Sequence, residues 1–447
     1  MTPMPLPRAV QTALFRLEKN GFEACVVGGC VRDHLMGITP HDFDLTTNAR
    51  PDRIKACFRG FPVIETGIAH GTVTVLIDKM PLEITTFRID GDYADHRHPD
   101  AVAFTDDLTQ DLARRDFTVN AMAYSPSRGI VDPFGGQNDL SRGVIRCVGE
   151  AEKRFDEDAL RILRALRFSS VLGFSIEENT AAAAHDLRAT LAAVSAERIY
   201  AEFCKLVCGK NAFGVLGAFS DVIGVFIPEI LPCVGFNQRN RNHCHDVYLH
   251  MLYVLKECPP VLPLRLAAYL HDIAKPQTAS FDEERGMMRF TRHPAVGADV
   301  ADAVLRRLRA DNATRDLACR LIRHHDDRIP PERPAVRRLM QRFSKEELPL
   351  FFAIQRADAL DHNVEFRTER LRRLEEVERI VAQLEREDTC LNVRDLCVNG
   401  NDLISLGYRG RAVGQALQTL LDAVIDERVR NSREDLLSFL AQNKPEL

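Results

Sequence analysis

Hydrophobic periodicity changes character near residue 150, and that change divides the chain. Before it, short β-like runs at Ala24 to Gly28, Phe43 to Thr46, Thr72 to Ile77 and Leu82 to Phe87 alternate with turn signals and helical stretches. Such runs fold as strands of a small α/β domain reaching to about residue 145. From Glu150 onward nearly every segment has helical spacing and strand signals nearly vanish. That part is expected to be helical, divided by loops near 237 to 244, 276 to 293 and 383 to 393. At 447 residues the chain is two or three times the length of a typical domain, so the expectation is an α+β multidomain protein.

Composition narrows the class. With 45% hydrophobic and 28% charged residues, the chain is neither mainly disordered nor collagenous nor membrane-spanning. Its 59 basic and 64 acidic residues give a net charge of −5, so any nucleic-acid binding must use a local patch. The most apolar stretch, Phe213 to Phe236, is interrupted by Asp221, Glu229, Pro228 and Pro232. It falls short of a spanning helix and is expected to be a buried core segment. No secretory leader is expected, because Met1 to Ala9 has no long apolar run behind Arg8. The twelve cysteines include no CxxC pair, and most, such as Cys25, Cys204 and Cys397, sit in apolar patterns. That suits reduced, buried thiols in a cytosolic protein.

Three segments of the first part carry chemistry. In Val26-Val27-Gly28-Gly29-Cys30-Val31-Arg32-Asp33, a strand ends in two glycines that open a helix. Backbone amides there can face a phosphate, although a plain tight turn shows the same pattern. In His41-Asp42-Phe43-Asp44-Leu45-Thr46, two carboxylates lie two residues apart in a strand pattern, so both project from one face while Phe43 enters the core. Paired like charges are costly unless a cation joins them, and magnesium held by carboxylates and substrate phosphates is the usual arrangement for nucleotidyl transfer. A solvated surface strand is the other reading of the pair taken alone. Leu112-Ala113-Arg114-Arg115-Asp116-Phe117-Thr118-Val119-Asn120-Ala121 adds two arginines, an acid and an amide around an apolar stripe, groups that a triphosphate and a ribose require.

These segments, followed by Asp132-Pro133-Phe134-Gly135-Gly136 and Arg154-Phe155-Asp156-Glu157-Asp158-Ala159-Leu160-Arg161, resemble in order and spacing the class II tRNA nucleotidyltransferases, or CCA-adding enzymes. The bacterial poly(A) polymerases are close relatives. The resemblance implies a polymerase-beta-like nucleotidyltransferase head in which Asp42 and Asp44 are catalytic and hold Mg2+. It also implies that Gly29 and Arg32 lie along the nucleotide phosphates, and that Arg115, Asp116 and Asn120 meet triphosphate and sugar. Glu83 stands on a strand where such heads often place a third carboxylate; an ion pair with Arg88 would give the same sequence.

Asp158, Arg161, Arg164 and Arg167 recur every three residues and are expected to form a ridge on one helix beside Leu160, Leu163 and Leu166. A solvated helix with internal salt bridges is one reading. In the other the helix replaces a nucleic-acid template, since a carboxylate accepts where a guanidinium can only donate. Cytosine and adenine both offer an amino donor beside a ring-nitrogen acceptor, whereas uracil and guanine offer the reverse. The family resemblance assigns base reading to Asp158 and Arg161, with Arg164 and Arg167 as further nucleotide contacts. Ser195-Ala196-Glu197-Arg198-Ile199 resembles the family's next motif, expected to buttress this helix.

Histidines and aspartates form a second constellation: His245 or His250, then His271-Asp272, His293, His324-His325 and Asp358. Imidazoles and carboxylates from separate helices can converge on one or two divalent ions. Leu270-His271-Asp272-Ile273-Ala274-Lys275-Pro276 resembles the centre of the HD phosphohydrolases. That resemblance implies His250, His271, Asp272 and Asp358 as ligands of an unidentified divalent metal, His293 and His325 as candidates for a second ion, and His245 as a bystander.

Val398-Asn399-Gly400-Asn401-Asp402-Leu403 and Leu406-Gly407-Tyr408-Arg409-Gly410-Arg411 look like the tRNA-gripping tail of the same enzymes. The expected organisation is a head at 1–147, a helical neck at 148–238, an HD-type body at 239–382 and a tail at 383–447. The expected function is template-independent addition of CCA to tRNA from CTP and ATP in the cytoplasm, with no DNA or membrane partner. A poly(A) polymerase shares the head. An HD metallophosphohydrolase with a nucleotide-sensing head, or a noncatalytic RNA-binding module, is the alternative of another class.

Overall fold

The structure is a computed structural model that describes residues 4–91, 102–239, 245–387 and 390–442. It divides into two compact units, Met1–Leu231 with Arg307–Ala310 and Pro232–Arg306 with Asp311–Leu447.

In the first unit helix α1 (Arg8–Lys19) presents Val10, Ala13, Leu14 and Leu17 at helical spacing to the core of a mixed sheet. The strands are β1 (Ala24–Val27), β2 (Asp44–Thr47), β3 (Val63–Ile64), β4 (Thr72–Ile77), β5 (Met80–Thr86), β6 (Ala123–Ser125) and β7 (Gly129–Val131). Their order in the sheet is β3-β4-β5-β2-β1-β6-β7. Central β1 is buried along its whole length, which its unbroken apolar sequence requires, whereas β4 alternates buried Val73, Val75 and Ile77 with half-buried residues. β1 runs antiparallel to β2 and β6; β2 runs parallel to β5, setting Asp44 opposite Glu83. Gly28, with φ at +80°, turns β1 into helix α2 (Gly29–Leu35), a conformation that glycine adopts without strain.

Three helices complete this unit's site: α3 (Ala151–Glu157), α4 (Leu160–Leu172) and α5 (Ala196–Val207). Leu160, Ile162, Leu163, Ala165 and Leu166 are buried, and Gly173, with φ at +72°, ends α4. The stretch Phe213 to Phe236 is mostly buried, as expected, with Leu216, Val222, Ile223, Ile227 and Ile230 fully inside; it consists of short helical pieces, and Leu231 and Val234 are exposed.

The second unit contains helices α6 (Val247–Glu257), α7 (Leu262–Leu270), α8 (His293–Arg307), α9 (Asn312–His324), α10 (Leu348–Leu360) and α11 (Val364–Arg386), the last residue of α8 falling in the first unit. Two expectations are corrected here. The expected loop at 276 to 293 contains a hairpin of β8 (Ala279–Asp282) and β9 (Met287–Phe290), paired residue for residue across Gly286. The loop expected from residue 383 begins later, because α11 continues to Arg386. The loop expected near 237 to 244 lies partly outside the described residues. Beyond α11, buried Leu403, Tyr408, Leu420 and Leu436 form a separate small core.

No described helix is long and apolar enough to cross a membrane. Cys25 is buried and its thiol is pushed up to about 12, chiefly by that burial. Cys204 is half-buried. Cys397, expected inside an apolar pattern, is exposed: it precedes the turn into the tail helices rather than lying within one.

Candidate functional sites

The first site gathers around the turn between β1 and α2. Asp44 opens β2, with Asp42 exposed two residues earlier and Phe43 buried between them. Asp42 thus precedes the strand instead of lying within it. Although the Asp44 side chain reaches solvent, surrounding protein raises its carboxyl above the usual range. Burial is the main cause; Glu83 and Asp42 add to it and Arg115 opposes. Like charges on neighbouring carboxylates raise each other's cost of ionisation, and a divalent cation held by Asp42 and Asp44 would relieve it. Arg88 donates from its guanidinium to the His70 carbonyl.

Arg115 packs against the turn, its Nη1 at 3.2 Å from where a Cβ on Gly28 would stand. Fully buried Asp111 sets both neighbouring arginines, with oxygens 2.9 Å from Arg114 and 3.9 Å from Arg115, and also accepts from Thr46 Oγ1 at 3.1 Å. Sequence reasoning passed over Asp111. Its spacing of three and four residues before the two arginines was the available signal.

Arg32 reaches back across the same turn, its Nη1 donating to Asn120 Oδ1 at 2.6 Å while Asp33 takes Nε at 2.9 Å. Asn120 in turn donates to Asp116 at 3.2 Å. Asp116 is buried. Its carboxylate also accepts from the Phe117 amide at 2.8 Å and from Arg164 Nε at 2.8 Å, so protein donors surround it. The resulting chain, Arg32 to Asn120 to Asp116 to Arg164, joins the glycine turn to α4. Gly29 begins α2 at its other end.

The expected four-residue ridge is a three-residue ridge. Arg161, Arg164 and Arg167 lie on α4, but Asp158 stands before it in extended conformation, φ −143°. Its Oδ1 accepts from the Leu160 amide at 3.1 Å, a local turn bond made by short carboxylates at the entry to a helix. Arg198 of α5 pairs with Asp158 at 2.9 Å. Arg161 is buried and donates to Glu157 at 2.7 Å and to the carbonyls of Arg154 and Arg114 at 3.1 Å each. Asp158 and Arg161 are therefore held by different partners.

The second site lies in the other unit. His250 of α6, His271 and Asp272 after α7, His325 after α9 and Asp358 of α10 are all buried and converge. Two groups bring three ligand atoms within 4.8 Å of one another: His250, His271 and Asp358, and His271, Asp272 and His325. His293 adds its Nε2 at 3.4 Å from Asp272. Among the described residues, Asp42, Asp44 and Glu83 do not form such a three-ligand group.

Backbone carbonyls and one carboxylate set the orientation of the rings. Nδ1 of His271, His293 and His325 lies 2.9, 2.8 and 2.7 Å from the carbonyls of Ala268, Phe290 and Ile322. A carbonyl only accepts, so Nδ1 carries a proton and Nε2 faces inward, where a neutral ring offers a lone pair to a metal. His250 Nδ1 instead meets Asp361 at 2.8 Å, and His245 binds the same carboxylate at 2.8 Å. His245 is thus outside the ligand groups but supports one of them. His324 turns aside to Asp327.

Asp272 supplies the test of fit for a metal. Both its oxygens are buried without a well-aligned hydrogen bond, although Lys275 Nζ ion-pairs at 2.6 Å. A buried carboxylate ringed by inward-facing Nε2 atoms suits a divalent ion. A cavity of about 450 Å³ opens over Asp272, His293, His325 and Asp358, with Lys275 and Arg370 among its walls. Asp361, Lys275 and Arg370, which pairs with Asp358 at 2.6 Å, were not singled out from sequence; only Lys275, three residues after Asp272, had a local signal.

Comparison with known proteins follows this division. Residues 24–146 match the Poly A polymerase head domain, 173–216 the probable RNA and SrmB-binding site of polymerase A, and 242–386 the HD domain. A CCA-adding enzyme of Leuconostoc mesenteroides subsp. mesenteroides is 50% identical over 219 residues, 49% of this chain and 54% of that protein. One from Latilactobacillus sakei subsp. sakei is 42% identical over 255 residues, 55% and 64% of the two chains. The chain thus spans about half the length of the first of these relatives. In structure, a Bacillus stearothermophilus CCA-adding enzyme in complex with CTP aligns over 98% of both chains at 29% identity and a TM-score of 0.73. A Thermotoga maritima CCA-adding enzyme complexed with tRNA shares the fold at 20% identity and a TM-score of 0.59. The chain therefore combines a region like the Poly A polymerase head, one like the probable RNA and SrmB-binding site of polymerase A and one like an HD domain, in the fold of the CCA-adding enzyme of Bacillus stearothermophilus.

Proposed function

We propose that this protein adds C, C and A to the 3′ ends of tRNA in the cytoplasm, using CTP and ATP and releasing pyrophosphate. The observation that carries the reading is the placement of Asp44 at the start of β2 opposite Glu83, with Asp42 two residues earlier and Arg115 packed against the neighbouring glycine turn. Asp42 and Asp44 would hold Mg2+, which supplies charge stabilisation to the entering and leaving oxygens of an in-line displacement. Arg32 and Arg115 would take phosphate charge where the glycine backbone lets it approach. Asp116 and Asn120 keep Arg32 and Arg164 in place behind them. The tRNA 3′-hydroxyl forms the new bond to the α-phosphorus as the bond to pyrophosphate breaks.

Asp158 and Arg161 would offer the acceptor and donor that select C and A. Their pairing with Arg198 and Glu157 means that the bound base shares or displaces those partners. The head at 1–147, neck at 148–238, HD body at 239–382 and tail at 383–447 remain our division of labour, the tail gripping tRNA. For the second site we propose hydrolysis of phosphoesters with a divalent metal held by His250, His271, Asp272 and Asp358.

The deciding experiment offers tRNA transcripts lacking all, one or none of the three terminal nucleotides, with each nucleoside triphosphate alone. Ordered addition of two C and one A, stopping there, supports the proposal. Repeated A addition identifies a poly(A) polymerase. No incorporation with any nucleotide refutes nucleotidyl transfer and favours catalysis at the HD site.

A further inference from the structure

Three guanidiniums converge on one ring. Arg32, Arg164 and Arg167 place their guanidinium carbons 5.2, 5.6 and 3.6 Å from the centroid of Phe168. That ring is buried and meets Phe117 edge to face at 5.7 Å. A ring face attracts cations, but three like charges around one ring repel each other, so each needs an acceptor to fix it. Asp33 and Asn120 hold Arg32, and Asp116 holds Arg164. Arg167 has Glu202 of α5.

Glu202 is a buried carboxylate that accepts from Arg167 Nε and stands 3.9 Å from Arg164 Nη1. Glu202 engages Nε, and among the described residues neither Nη group of Arg167 donates a hydrogen bond. Those are the donors that a phosphate or sugar oxygen can use. The partners lie 35 residues apart in sequence, and Glu202 stands three residues beyond the segment 195–199, on α5.

We propose that Glu202 is a positioning residue for nucleotide selection. It stays out of contact with the nucleotide, sets the plane of Arg167 and the lean of Arg164 over Phe168, and so determines how tightly and selectively CTP and ATP are held. The proposal rests on the nucleotide-adding reading of the first unit. Losing the carboxylate leaves Arg164 and Arg167 repelling each other across one ring, and Arg167 swings away from the orientation that presents its Nη groups.

The test uses the full-length protein with E202Q, which keeps size and removes charge, and E202D, which keeps charge and shortens the side chain. Addition to tRNA lacking its terminus gives kcat and KM for CTP and ATP and the relative use of UTP and GTP. Equilibrium binding of CTP is measured without RNA, and melting is followed in parallel. E202Q is expected to raise KM for both nucleotides about tenfold, with kcat within a few fold, greater relative use of UTP and GTP, and correspondingly weaker CTP binding. E202D recovers part of each. Wild-type KM, CTP affinity and selectivity in folded E202Q overturn the proposal, as does a lower melting temperature with those three unchanged. If the wild type adds no nucleotide to tRNA, the functional reading fails by itself, and the CTP-binding comparison still decides Glu202. Absence of CTP binding to the wild type overturns both.

Discussion

Replacing Asp116 with asparagine keeps the side chain's shape and removes one negative charge from the middle of the arginine chain. Asp116 is 8% exposed, and its carboxyl is held down at about 2 against an ordinary 3.8. Burial works to raise it; attraction and hydrogen bonds from Arg164, with help from Asn120, outweigh burial. A displacement of about two pH units is worth about 2.5 kcal/mol in favour of the ionised form. An acid whose pKa falls on folding stabilises the folded state above its unfolded value, and that contribution is lost as the pH drops through the folded one. D116N should therefore destabilise the first unit by about 2.5 kcal/mol at pH 7 and by roughly half that near pH 3. The cost stays below the ~3–5 kcal/mol of a fully buried broken pair, because the Arg164 side chain is 34% exposed and keeps Glu202 at 3.9 Å. With no tryptophan in the chain, hydrogen exchange of the α4 amides, corrected for intrinsic rates, is a suitable assay for this unit alone. Protection in D116N equal to wild type at pH 7 would refute the reasoning. So would a gap of the same size at both pH values, since packing loss does not titrate.

Asp42→Ala and Asp44→Ala should each abolish nucleotide addition while leaving tRNA binding nearly intact; filter binding and incorporation measured side by side check this, and substantial incorporation by both variants argues against the metal assignment. Asp158→Ala and Arg161→Ala should each lower discrimination against UTP and GTP about ten- to hundredfold, the worth of a lost hydrogen bond to a charged partner. Folded variants with an unchanged preference for C and A would mean that this segment does not read the base. His271→Ala with Asp272→Ala should remove metal-dependent phosphoesterase activity and leave nucleotide addition within a few fold, because the two sites lie in different compact units. Equal loss of both activities would mark the HD cluster as structural.

The glycine turn, the Asp42-Phe43-Asp44 segment, the arginine repeat and the His271-Asp272 pair were legible in the sequence because each is local. Strand alternation, helical spacing and the demands of like charges act over a few residues, and side-chain chemistry does not depend on what packs nearby. Even the burial of Phe43 and the strand limits of Thr72–Ile77 follow from period alone. What spacing could not supply is the partner. Asp158 fits the three-residue repeat by count, yet the helix starts at Leu160, and the carboxylate turns to the Leu160 amide and to Arg198, 40 residues on.

Tertiary structure alone decided the pairings that give these residues their roles. Asp116 meets Arg164 across 48 residues, Arg167 meets Glu202 across 35, and His250 is oriented by Asp361 across 111. The hairpin at 279–290 belongs to the same class: Met287-Met288-Arg289-Phe290 has no alternation of its own and becomes a strand by pairing with Ala279–Asp282. A carboxylate's chemistry is written in its side chain. Whether it grips a metal, caps a helix or aims an arginine depends on which donors the packing of distant elements brings within about 3 Å.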